Sequence, residues 1–161
     1  MVKKAKFKTS PKKKKLPHYS SEIQKSKVPG YFPENSPDSI LKLKPSWRFG
    51  LMDITGQWGW GNVESKEKLL KITDKLKIFE AMTWEEIGKK GVSHPMPKDR
   101  ITRNAQKCLS GKRIDADELE ALYSLRLSSR ERVWGIRERE VFYILWWDPE
   151  HSVYPVEPRN T

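Results

Sequence analysis

Residues 122–154 constrain the fold more than any other part of the chain. Three segments of this stretch, residues 122–128, 132–137 and 141–147, have the length of strands and are rich in β-branched and aromatic side chains. Charged links of three residues separate them, and links this short do not allow a parallel crossover. The pattern therefore predicts a three-stranded antiparallel meander at the C-terminal end of the chain.

The residues before this meander predict a strand followed by two to three helices. Residues 47–54 alternate apolar and polar side chains, whereas in residues 64–80 the apolar side chains recur at helical spacing. A second, short helix starts at Thr83, which begins a capping-box sequence. Residues 88–97, with Gly and Pro, are predicted as a break, and residues 98–109 as a third helix. This order predicts an α+β domain with the helices packed on one face of an antiparallel sheet.

The positive charge is concentrated at the N-terminal end. The net charge is +11, and residues 1–45 hold 12 Lys and three acidic residues, against 20 cations and 18 acids in residues 46–161. Residues 1–45 are also rich in Pro and poor in apolar side chains, so burial cannot offset their ordering entropy. We therefore predict a basic, flexible arm over residues 1–45 and one folded domain over residues 46–161. The block Lys12, Lys13, Lys14 and Lys15 is either an RNA-binding element or a solubilising extension.

Composition also excludes several classes of site. The single cysteine, Cys108, excludes a disulfide framework within the chain and a Cys-rich zinc site, and the three histidines share no ligand spacing. No apolar run approaches the roughly 18–20 residues that a membrane-spanning helix needs. No apolar stretch typical of a secretory signal follows the lysines. We therefore expect no metal or other cofactor, no membrane contact, and a reducing, cytoplasmic location.

The remaining candidates for a catalytic or binding site are four arginines, His151 and Tyr154, in and after the predicted meander. RNA cleavage without a metal needs a base for the 2′-hydroxyl proton, cations for the charged transition state and an acid for the leaving oxygen. His151 titrates near neutrality and fits a proton-transfer role, and Tyr154 fits hydrogen bonding or stacking on a base. Arginine binds phosphate bidentately. The arginines in question are Arg126, Arg130, Arg132 and Arg137.

Each candidate also has a purely structural interpretation. Glutamates next to the arginines account for them as surface ion pairs, His151 is then a hydrogen-bonding residue of a turn, and Tyr154 belongs to the core. The Gly-rich loop that carries Trp58 and Trp60 is either a stacking platform for bases or a cover for the edge of the core. The residues alone leave both interpretations open.

The run SLRLSSRERVWGIREREVFYILWWDPEHSVYP resembles the C-terminal half of RelE/ParE-superfamily toxins from bacterial toxin–antitoxin systems. Leu125-Arg126 is similar to the "LR" strand of that superfamily, residues 132–134 to its second strand, and Val153-Tyr154 to the end of its third. The resemblance implies a RelE-like fold, a cognate antitoxin whose helical segment covers this surface, and cleavage of mRNA, on the ribosome, without a metal. It implies His151, Arg132 and Tyr154 as catalytic residues and the other arginines as RNA-binding residues.

Two alternatives remain open. One is a protein that binds nucleic acid through the lysine-rich arm and the sheet without cleaving it. The other is a gyrase-directed toxin of the ParE branch, which uses the same scaffold without ribonuclease residues. The acids Asp148 and Glu150 precede His151, and they would repel RNA phosphate unless they fold away from it or orient His151.

Overall fold

The computed structural model describes residues 40–112, 114 and 119–155, which all belong to one unit of the chain, Glu34–Thr161. The predictions for Lys12, Lys13, Lys14 and Lys15 lie outside the described residues. The strands are β1 (Ser46–Arg48), β2 (Ser93–Pro97), β3 (Ala121–Arg126), β4 (Arg132–Glu138) and β5 (Val141–Asp148). The helices are α1 (Lys66–Ala81), α2 (Trp84–Lys89) and α3 (Arg103–Ser110).

The C-terminal meander is confirmed. Strands β3, β4 and β5 pair in antiparallel order, and each lies within two residues of its predicted bounds. The N-terminal strand and the three helices are also present, so the α+β class is correct. The strand covers only Ser46–Arg48 rather than residues 47–54, and the third helix begins at Arg103 rather than at residue 98. The predicted capping box is also present, because the side chains and backbone N–H groups of Thr83 and Glu86 bond to each other at the start of α2.

The sheet differs from the predicted one in two respects. It has five strands in the order β1-β5-β4-β3-β2, and β1 runs parallel to β5, so the sheet is mixed rather than antiparallel. The additional strand is β2, which was predicted as a break because it contains Pro95 and Pro97. An edge strand tolerates prolines two residues apart, because alternate N–H groups of that strand point away from its neighbour.

The prediction that the helices cover one face of the sheet is wrong, because helices pack on both faces. Neighbouring strand residues such as Val133 and Trp134 point to opposite faces and belong to different core clusters. The first cluster contains Ile72 and Phe79 of α1 and Trp84 of α2. The second contains Ala105 and Leu109 of α3 together with Trp58, Trp134, Trp146 and Val153. We call the two sides of the sheet the α1 face and the α3 face.

No helix in the described ranges is both long and apolar enough to cross a membrane. The described helices instead each place apolar side chains on one of the two faces of the sheet. The two faces between them hold six buried aromatic side chains of the strands and α-helices: Phe79, Trp84, Trp134, Phe142, Trp146 and Trp147.

Candidate functional site

The loop after β5 is built around the carboxylate of Asp148. This side chain is fully buried, and its Oδ1 accepts hydrogen bonds from the backbone N–H of Glu150 at 3.3 Å and of Ser152 at 2.9 Å. Its Oδ2 accepts from the backbone N–H of Val153 at 2.9 Å and from the indole N–H of Trp134 at 3.3 Å. The Ser152 hydroxyl completes the set at 3.1 Å from Oδ1. One buried acid therefore fixes the path of the chain on both sides of residue 151.

His151 lies at the turn of this loop in a left-handed backbone conformation, with φ at 59°. This region is costly for a residue with a Cβ atom, and such conformations persist only where the surroundings enforce them. Here the bonds of its two neighbours, Glu150 and Ser152, to Asp148 enforce it. The half-buried imidazole is thus held on a rigid turn rather than on a mobile loop end.

The electrostatic surroundings keep this imidazole neutral. Partial burial lowers the pKa of His151 below its usual value of 6.5, and the nearby charge of Arg132 lowers it further. Asp148 opposes these effects, and Arg126 adds a smaller repulsion of its own. A histidine with a lowered pKa is unprotonated at pH 7 and accepts a proton.

Arg132 is buried, with 6% of its surface exposed, and it holds the β3–β4 loop together. Its Nη1 donates hydrogen bonds to the backbone carbonyls of Ser128 and Glu131, both at 2.9 Å, and to that of Ser129 at 3.4 Å. Burial lowers the pKa of Arg132, Arg126 lowers it further and Asp148 raises it, but a guanidinium stays charged at neutral pH. The predicted surface ion pair with a neighbouring glutamate is therefore wrong for Arg132.

Arg126, unlike Arg132, is exposed. It lies opposite Arg132 in the register of β3 and β4, so both side chains share the α3 face of the sheet. Arg130 is also exposed, and it pairs with Glu150 at 3.1 Å, with both side chains largely in solvent. Of the two acids before His151, Asp148 has folded away into the core, and Glu150 is neutralised at the surface.

Arg137 does not belong to this group. It lies five residues along β4 from Arg132, about 16 Å at roughly 3.3 Å per residue, and it points to the opposite face of the sheet. Its guanidinium carbon lies 4.4 Å from the ring centre of Trp84 and 5.6 Å from that of Tyr123, both on the α1 face. The four candidate arginines therefore do not converge on one site.

The aromatic candidates mainly support the core. Tyr154 is half-buried against the cluster on the α3 face. Trp58 and Trp60 are buried to 3% and 9% exposure, so they cover the core and do not form a stacking platform. Trp58 also donates its indole N–H to the Ser152 hydroxyl at 2.8 Å. That bond supports the turn at His151 from a loop more than 90 residues earlier, and nothing in the sequence pattern indicates it.

The described residues contain no group of three or more His, Cys, Asp or Glu side chains arranged to hold a metal ion. Cys108, the single cysteine, is partly buried against the cluster on the α3 face. The structure thus brings together one neutral histidine, one exposed arginine and one buried arginine at the ends of β3, β4 and β5.

Comparison with known proteins adds no relative to this description. No protein-family model, no curated protein and no solved structure matches the chain.

Proposed function

We propose that the protein is an RNA-cleaving toxin of RelE-like architecture that acts through His151 and the two arginines beside it. The observation that carries the proposal is the placement of His151, on a turn held by Asp148, at the end of the sheet where Arg132 and Arg126 lie. A neutral imidazole beside two cations meets two requirements of metal-independent RNA cleavage, a base and a stabiliser of phosphate charge.

In the proposed reaction, His151 takes the proton of a ribose 2′-hydroxyl. The 2′-oxygen then forms a bond to the adjacent phosphorus, and the bond from phosphorus to the 5′-oxygen breaks. The leaving 5′-oxygen takes a proton from solvent, so the products are a 2′,3′-cyclic phosphate and a free 5′-hydroxyl. Arg126 contacts the phosphate directly, while Arg132 contributes its charge and holds the loop beside it.

The other predicted residues have smaller parts in this proposal. Arg130 is exposed and close to His151 through Glu150, which fits a contact to a neighbouring phosphate. Tyr154 is half-buried against the core, so the proposed chemistry does not use its hydroxyl. Lysines of the N-terminal arm, Lys12 to Lys15, are proposed to add sequence-independent affinity for the RNA backbone.

A cleft on the α1 face, across the sheet from Arg126 and Arg132, fits the proposed antitoxin. It has a volume of about 360 Å³, and it lies between α1 and the β3–β4 loop. Its apolar floor contains Ile72 and Leu127, and Lys71 and Lys75 lie at its rim. A helical segment with apolar and acidic side chains would complement these residues. Such a segment would contact the β3–β4 loop, whose carbonyls accept hydrogen bonds from Arg132, and its binding would therefore act on the site through that loop.

The test is cleavage of RNA by the purified protein, with and without ribosomes, and analysis of the new ends. We expect 2′,3′-cyclic phosphate ends from the wild type and a loss of at least about a hundredfold in rate from His151→Ala. The matched control is His94→Ala, which removes an exposed imidazole on β2 and should cleave normally. Equal cleavage by the wild type and His151→Ala would refute the assignment of His151.

One observation favours a second candidate, a protein that binds RNA without cleaving it. The proposed site has one group assigned to proton transfer, His151, whereas efficient cleavage usually uses a separate base and acid. Salt-dependent RNA binding that survives His151→Ala, with no cleavage by any variant, would support this candidate. Growth arrest in a bacterial host with intact mRNA and a DNA-damage response would instead support the gyrase-directed alternative.

A further inference from the structure

Arg137 is half-buried, and its partners among the described residues are a carbonyl group and aromatic rings rather than a carboxylate. Its Nε donates a hydrogen bond to the backbone carbonyl of Arg139 at 2.9 Å, and its guanidinium lies against the rings of Trp84 and Tyr123. Within the described part of the chain, no carboxylate pairs with it at ion-pair distance. Burial lowers the pKa of Arg137, whereas Tyr123 raises it. A guanidinium that has lost solvent without gaining an anion retains terminal N–H donors for a ligand.

The surroundings of Arg137 form a pocket of about 330 Å³. The polar side of this pocket consists of Arg137, Arg139 and Tyr123, and the apolar side consists of Ile40 and Leu41. Glu140 partly neutralises Arg139, since its Oε2 lies 3.5 Å from Nε of that arginine. Arg137 and the partly neutralised Arg139 therefore supply the positive charge of the pocket. The volume is in the range of small-ligand sites, which combine apolar walls with a few fixed polar groups.

We propose that this pocket binds a nucleoside phosphate, with the phosphate on Arg137 and the nucleoside against Tyr123 and the wall of Ile40 and Leu41. The planar fork of a guanidinium matches two phosphate oxygens at once. The stacking on Trp84 and Tyr123 fixes the orientation of that fork before the ligand arrives, which lowers the entropy cost of binding. The aliphatic wall is an apolar surface that a bare phosphate would leave uncovered and that a base or ribose would cover.

This site is separate from the one at His151. Arg137 and Arg132 lie on opposite faces of the sheet, and five residues of β4 separate them by about 16 Å at roughly 3.3 Å per residue. The proposal therefore holds whether or not His151 cleaves RNA. A nucleoside phosphate reaches such a pocket either as a free mononucleotide or as part of an RNA strand, and these two sources differ in whether the phosphate is terminal or internal.

The experiment is an NMR titration of the full-length protein in which the arginine Nε–Hε signals are followed. The probes are adenosine 5′-monophosphate, inorganic phosphate, and a 2′-O-methyl oligouridylate with a 5′-hydroxyl, which cannot be cleaved at its 2′-position. The signal of Arg137 is the one missing from the spectrum of Arg137→Lys, or is assigned in the wild type if that variant does not fold. We expect a saturable shift of this signal in the wild type with adenosine 5′-monophosphate. Binding to Arg137→Lys, measured by calorimetry together with the wild type, should be about tenfold weaker.

The control variant is Arg103→Lys, an exposed arginine at the start of α3, which should bind the mononucleotide as the wild type does. An equal shift with the oligouridylate would support an RNA strand as the source, and a shift with the mononucleotide alone would support a free nucleotide. Two results would overturn the proposal. One is an Arg137 signal that none of the probes moves, and the other is inorganic phosphate binding as tightly as the mononucleotide.

Discussion

Arg126 and Arg132 face each other directly across β3 and β4. Like charges at such a cross-strand position destabilise a sheet by a few tenths to about 1 kcal/mol. The repulsion also extends to His151, whose pKa both arginines lower. An anion bound between the two arginines would relieve this repulsion.

The first prediction follows from this pair. Arg126→Gln should raise the free energy of unfolding by up to about 1 kcal/mol at low salt, because it removes the cross-strand repulsion. The gain should shrink at high salt, where ions screen exposed charges. Urea unfolding at low and high salt measures the effect, and a salt-independent loss of stability would contradict it. The same variant should weaken RNA binding and reduce the salt dependence of that binding.

The second prediction concerns the two non-glycine residues with positive φ in the described part of the chain, His151 at 59° and Arg139 at 56°. Replacing either residue by Gly removes the steric penalty of this conformation, which is about 1–2 kcal/mol, although the added chain entropy offsets part of the gain. Arg139→Gly should therefore raise the melting temperature and leave RNA cleavage intact. His151→Gly should retain or raise stability while cleavage is lost. Marked destabilisation of both variants would show that neither turn is strained.

The third prediction concerns pH. Because the pKa of His151 is lowered in the folded protein, the unfolded chain binds more protons between that pKa and about 6.5. The free energy of unfolding should therefore rise with pH across this window and fall as pH drops through it. His151→Asn, which tolerates positive φ and does not titrate, should flatten this slope. Chemical unfolding of both proteins at several pH values between about 5 and 7.5 measures the difference.

The fourth prediction tests the buried acid of the loop. Asp148→Asn replaces one acceptor oxygen by an NH₂ group, which then faces N–H donors such as those of Val153 and Trp134. A buried donor left without an acceptor costs about 1–3 kcal/mol, so we expect a loss of that order or more. Glu150→Gln, at an exposed neighbouring position, is the control and should change stability by less than about 0.5 kcal/mol. Thermal unfolding of the two variants separates these outcomes.

The sequence predicted the local features of this fold well and its long-range pairing poorly. The meander was recognisable because alternation and short links determine it residue by residue, and the helix at Thr83 because its cap is local. Strand β2 was missed because Pro95 and Pro97 argue against a strand unless that strand lies at an edge, and edge position depends on the whole topology. The same dependence hid the parallel pairing of β1 with β5.

The candidate site was predicted in part for the same reason. His151, Arg126 and Arg132 lie together, because the register of β3 and β4 and the loop after β5 follow from the meander. Arg137 was grouped with them because an arginine in a strand does not reveal its face until the register and the β-bulge near Gly135 are known. The burial of Asp148 and the hydrogen bond from Trp58 to Ser152 stabilise the turn at His151. Neither follows from a local sequence pattern, because both depend on the tertiary structure.

The two prolines of β2 also determine what this edge of the sheet can bind. Two of its five residues, Pro95 and Pro97, lack the N–H that an incoming strand would need as a donor. Partners that recognise a protein by adding a β-strand depend on an unbroken ladder of main-chain bonds. At β2 such a ladder would lose bonds at every second position. This edge therefore resists strand exchange and edge-to-edge aggregation, and recognition there depends on side chains rather than on the backbone.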